Sequence, residues 1–100
     1  MLVNLTPHVI RFTDGTELAP SGTVARVAAS YTEFDARGVC RAVFGQVSGV
    51  PAPEAGTLFV VSGMVSAAMP DRDDVVAPAT GHPLAVRRDG QVWAVPGFCK

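Results

Sequence analysis

One hundred residues fit one domain with one core, and a net charge of −1, from 8 basic against 9 acidic side chains, gives no basic stripe for nucleic acid. Hydrophobic residues are 48% and charged residues only 17%, below the roughly 25% usual in globular chains. So apolar a chain of this size cannot hide all its nonpolar side chains and is expected to share them with copies of itself as a homo-oligomer.

The amino end, Met1-Leu2-Val3-Asn4, has no basic segment leading an apolar stretch, and no run reaches the roughly 18 apolar residues of a bilayer span. The expectation is a cytoplasmic protein without a membrane partner. From Val3 to Phe12 a loose alternation predicts one bent edge strand, because Pro7 has no N–H to give a ladder. Thr13-Asp14-Gly15-Thr16 predicts a tight hairpin turn, with a short return strand ending at Pro20.

Thr23 to Tyr31 sets Val24, Arg26 and Ala28 against Ala25, Val27 and Ala29, the pattern of a strand buried on much of both faces. The turn Asp35 to Gly38 leads to Val39–Val47 as its antiparallel partner, and the Gly- and Pro-rich stretch 49–56 reads as a loop. The apolar run Thr57–Ser62, bounded by Gly56 and Gly63, reads as a buried central strand. Met64–Met69 allows one to two helical turns before Pro70, and Asp71–Gly81 reads as turn-rich without a period. Asp89-Gly90 predicts a hairpin between 83–88 and 91–96. The fold class is mainly β, or α+β with a β majority: a small antiparallel sheet or barrel-like arrangement with one short helix, residues 1–100 forming a single domain.

The densest polar cluster is Asp71-Arg72-Asp73-Asp74. Its plain reading is a capped turn in which Arg72 pairs with a carboxylate; its functional reading is Arg72 as a bidentate fork for phosphate or carboxylate. The acids lack the glycine and glutamate spacing of a calcium loop, and no metal is expected. His8 and His82, each beside a proline, are the side chains suited to proton transfer near neutral pH, although a histidine at a strand bend more often bonds a local carbonyl. Ser62 lacks the flanking glycines of a nucleophile elbow, and GQVSG at 45–49 lacks the lysine of a phosphate loop. Trp93 reads as a core or interface residue, with base stacking the rarer use. The paired Arg87-Arg88 read as a solvated face. Cys40 and Cys99 read as reduced thiols, with a cross-link between chains open at Cys99.

The strings NLTPH (Asn4 to His8), PSGTVARV (Pro20 to Val27) and LFVVSGMVSAAMPDRDDVVAPATG (Leu58 to Gly81) resemble a family of small proteins encoded by tailed phages, prophages and actinobacterial genomes. The resemblance covers most of the chain, is weaker from Gly81 to Val95, and implies a phage-associated role inside the host cell without a reaction or cofactor. Two functions are therefore expected. In the first, a non-enzymatic accessory protein sequesters a small anionic, nucleotide-like ligand or a host protein, with His8, Thr6, Arg72, Asp71, Asp74 and Thr80 as binding residues. In the second, the chain is a structural or assembly protein of the phage particle. An enzyme using His8 or His82 is the weaker third.

Overall fold

The computed structural model describes all residues, 1–100, and the chain is mainly strand with one short helix. The organising element is a four-stranded sheet of β1 (Leu2–Asn4), β6 (Leu58–Val60), β7 (Val75–Pro78) and β10 (Phe98–Cys99), in the order β1-β6-β7-β10. Three hairpins account for the other strands: β2 (Ile10–Arg11) with β3 (Glu17–Leu18), β4 (Arg26–Tyr31) with β5 (Ala42–Ser48), and β8 (Val86–Arg88) with β9 (Gln91–Ala94). The sheets do not close into a barrel.

The apolar run around β6 is central, as its composition demands. Phe59, Val60 and Val61 are all fully buried, because successive side chains go to opposite faces and both faces are covered. Phe59, Val61 and Val75 pack with Leu5, Ala25 and Val65 on one face; Val60 and Val76 pack with Ile10 and Val95 on the other. Phe12 and Phe98 border the second cluster edge to face, centroids 5.5 Å apart.

The pairing differs from the expected antiparallel scheme at the centre. Both β1 and β7 run parallel to β6, while β10 joins β7 antiparallel. Parallel neighbours need a crossover of about a dozen residues or more, and 61–74 supplies it with α1 (Gly63–Ala67). Ser62 caps that helix by accepting from Val65 N, and Pro70 follows its end. The stretch 71–81, expected to be turns, contains the central strand β7: Val75-Val76 is too short a run to announce a strand, and long-range pairing with β6 makes it one.

The expected single edge strand from Val3 to Phe12 is two strands in different sheets. β1 does occupy the sheet edge, but the chain leaves it at Leu5, loops through Pro7 and re-enters as β2. The turns at Gly15, Gly38 and Gly90 form where expected, and Asp89 shares the left-handed conformation with Gly90 that a type I′ hairpin needs.

The largest departure concerns β4. Expected to be buried on both faces, it is exposed along almost its whole length, as is β5. The pair leaves the core as an arm. Only its base packs, with Val27 and Val47 against the first cluster, where Gly49 at φ +84° lets the chain pass close to Val24 O. Alternation along a strand tells which residues share a face; it does not tell whether a core exists to cover them.

Candidate functional site

Two surfaces stand out, the arm and a cleft. On the arm, the register sets Val27 opposite Val47, Ala29 opposite Phe44 and Tyr31 opposite Ala42. A bulge between Val27 and Ala29 keeps these six apolar side chains on one face of the ribbon, so the face that starts in the core stays apolar as it runs into solvent. Phe44 is half exposed, and Tyr31 and Phe34 are more so. The turn at the tip is tied by Asp35, which accepts from Arg37 N and Val39 N and pairs with the Arg37 guanidinium at 2.8 Å.

The cleft, about 750 Å³, lies where β1, β6 and β7 end. Because all three run the same way, their carboxyl ends open on one side of the sheet, the usual place for ligands in open parallel sheets. Residues 6–11 form one wall, continued into Val95 and β9 through the hydrogen bond from Val95 N to Arg11 O, and Val61 to Gly63 with Pro78 and Thr80 complete the lining.

The NLTPH string is the scaffold of the first wall. Asn4, 1% exposed, donates from Nδ2 to His8 O at 2.8 Å and Leu18 O at 3.1 Å. Its Oδ1 accepts from Thr6 N at 2.9 Å and Thr6 Oγ1 at 2.7 Å. The amide thus ties the loop to the β3 hairpin and uses its full hydrogen-bonding capacity in doing so. Replacing Asn4 by Ala takes the side-chain partner from Thr6 N and Leu18 O, while Thr6 Oγ1 keeps His8 O at 3.1 Å, and is expected to cost about 2 kcal/mol, read as a lower urea midpoint; a loss under about 0.5 kcal/mol would remove Asn4 from this role.

Of the expected binding residues, Thr6, His8 and Thr80 come together in the cleft lining, whereas Asp71, Arg72 and Asp74 lie outside it. The Thr6 hydroxyl is engaged by Asn4, and the His8 ring makes no protein hydrogen bond. His82 is away from the cleft, accepting at Nδ1 from Leu84 N. The Arg72 fork is filled: Nε and Nη2 donate to the two oxygens of Asp74 at 2.7 and 2.9 Å, and Nη2 also reaches Pro51 O at 3.0 Å. The cluster therefore pins the 49–56 loop to the crossover. No three His, Cys, Asp or Glu side chains converge anywhere to hold a metal. Cys40 and Cys99 are free thiols, the second exposed.

The Arg72 hydrogen bonds hold the Asp74 carboxyl below its ordinary value. A carboxylate with a depressed folded pKa stabilises above its unfolded pKa, about 3.9, and that contribution is lost as pH falls through the folded value. The melting-temperature gap between wild type and Arg72→Gln is accordingly expected to be widest near pH 6 and to close as pH falls below the ordinary carboxylate range. A gap independent of pH would show that Arg72 acts through packing alone.

One feature of the cleft is not evident from composition or spacing. Trp93, 40% exposed, sits at the bulge of β9, where the register against β8 shifts. β9 lies between β8 and β2, since Val95 N donates to Arg11 O and Thr13 N to Val95 O. The guanidinium carbons of Arg11 and Arg88 stand 4.1 and 4.2 Å from the indole centroid, approaching from the two flanking strands. No helix of the chain is long and apolar enough to cross a membrane. Set against protein-family profiles, curated proteins and solved structures, the chain matches none.

Proposed function

We propose that the chain is a non-enzymatic assembly protein that associates with copies of itself through the β4–β5 arm. The observation that carries this is the continuous apolar face of six residues leaving the core. The dimensions support it. The accessible surface is 6748 Å², against about 5,400 Å² for a compact monomer of 10.4 kDa, an excess of about 1,300 Å². One partner contributes about 800 Å² to a standard interface and 1,000 Å² or more to an obligate one, so the excess is what an obligate contact would cover. The radius of gyration, 15.3 Å, likewise exceeds the roughly 13 Å of a compact chain of this length.

The resemblance of the NLTPH and Leu58–Gly81 strings to phage and prophage proteins gives that assembly a setting, a phage particle or its precursor in the host cytoplasm. This favours the assembly role over sequestration, since the Arg72 fork is already occupied by Asp74 and Pro51. Mass spectrometry of particles produced by cells encoding the chain tests it. Detection at a fixed copy number per particle is expected; abundance in the soluble lysate with absence from the particles would overturn it.

A further inference from the structure

The arm has edges as well as a face, and one edge is unguarded. Thr32 N donates to Arg41 O at 2.9 Å, so Thr32 and Arg41 form a hydrogen-bonded pair of the ribbon. Such pairs alternate along antiparallel strands. Ser30–Val43 is therefore the next one, and Tyr31–Ala42 and Ala29–Phe44 are non-hydrogen-bonded pairs. The N–H and C=O groups of Ala42 and Phe44 thus point outward from β5, away from β4, and no third strand or loop bonds to them there.

The two edges differ in what protects them. Edge strands are ordinarily blunted by charge, proline or cover from a neighbouring segment. β4 begins at Arg26, and Ala25 just before it is tied to the body by donating its N–H to Leu5 O at 2.9 Å. β5, with the sequence AVFGQVS, has seven residues, no charge and no proline, and all but Val47 are exposed. Its bulge, where Gly45 and Gln46 stand opposite Ala28, confines regular pairing to the outer part of the strand, around Val43. Val43 is itself a second observation. It is 50% exposed on the side of the ribbon opposite Phe44, so covering the apolar face alone would leave it in water.

We infer that β5 pairs antiparallel with β5 of a second copy about a two-fold axis through Val43, which deepens the arm-mediated association proposed above and rests on it. Ala42 of each chain then exchanges hydrogen bonds with the partner's Phe44. Val43 meets the partner's Val43 as a close non-hydrogen-bonded pair, and the two Phe44 rings become diagonal neighbours on the apolar face. The axis is perpendicular to the ribbon, so both apolar faces lie on the same side of one continuous sheet, and each tip runs toward the partner's base. A second copy suits this edge because β5 carries no charge to oppose its own image, and the isologous contact closes on itself.

Two prolines and two cysteines test the pairing. Ala42→Pro removes an outward donor from β5 and leaves the ladder to β4 intact; Ala29→Pro does the same on the β4 edge. By sedimentation velocity, Ala42→Pro should lose the pairing and run as one chain, while Ala29→Pro keeps the wild-type mass; circular dichroism checks that both fold. Independently, in a Cys40→Ser/Cys99→Ser background, Val43→Cys should oxidise to a covalent dimer, because the Cα atoms of such a pair stand about 4.5 Å apart, within disulfide range. Ser30→Cys, across the ribbon on β4, should stay monomeric on a non-reducing gel. Cross-linking at Ser30→Cys with none at Val43→Cys would overturn the inference. So would wild-type mass in both proline variants with dissociation in Tyr31→Asp/Phe44→Asp: the arms would then stack face to face, and arm-mediated association would stand without this pairing. A wild-type chain that is monomeric at every concentration would remove the association itself.

Discussion

Tyr31→Asp/Phe44→Asp is expected to abolish the proposed self-association and leave a folded monomer. Both aromatic rings stand on the arm's apolar face, beyond the base where Val27 and Val47 reach the core. Aromatic residues at the centre of an interface each cost about 2 kcal/mol or more when lost, so the pair should raise the dissociation constant by about three orders of magnitude. A buried carboxylate in each place adds desolvation and repulsion to the lost contact. The core is untouched by these positions, so the variant should keep its far-ultraviolet spectrum while light scattering falls to the mass of one chain. A variant that retains the wild-type mass would show that the arm face is not the contact. A companion observation separates association from folding. The wild-type melting temperature should rise with protein concentration, and that dependence should vanish in the variant.

Phe59→Ala carries the second large effect. Phe59 is the largest of the fully buried side chains, packed on β6 between Leu5, Ala25, Val65 and Val75. Truncating such a ring costs about 3–5 kcal/mol, from lost transfer energy and the cavity left behind. Domains of this size have about 5–15 kcal/mol in all, and here only 15 of 100 residues are buried, so there is little core elsewhere to compensate. The variant is expected to be largely unfolded at 37 °C and to lose most of its urea resistance at 25 °C. Trp93→Ala, on the exposed bulge of β9, should cost far less. Comparable losses at the two positions would contradict a core centred on β6.

Much of the local structure was legible in the residues. Asp14-Gly15, Asp35 to Gly38 and Asp89-Gly90 mark the three hairpin turns because those residue types tolerate the left-handed backbone these turns use. The run TLFVVS announces the central strand by needing cover on both faces, and Pro70 marks the end of the helical turn. What depends on partners distant in the chain was hidden. β7 is a strand because β6 and β10 flank it, and its own Val75-Val76 pair gives little notice. The exposure of β4 and β5 was equally hidden, since a local period is the same whether or not a core exists beneath it.

The site divides along the same line. Thr6, His8 and Thr80 meet because β1 and β7 both run parallel to β6, a topological fact that no spacing carries. The pairing of Arg72 with Asp74 is a near-neighbour contact anticipated by the plain reading of that cluster; the Pro51 carbonyl that completes it comes from across the fold. Arg11 joins Trp93 and Arg88 because β2 meets β9 only in the folded chain, and a register shift at the bulge brings Trp93 into line with both arginines.

The most direct measurement is the solution mass of the unmodified chain by sedimentation velocity from about 1 to 100 μM, a span that brackets ordinary subunit affinities. The arm's exposed face and the surplus of accessible surface predict a multiple of 10.4 kDa across most of that range, with dissociation only at the dilute end. A sedimenting species of one chain's mass at every concentration, keeping its fold, would contradict the assembly role.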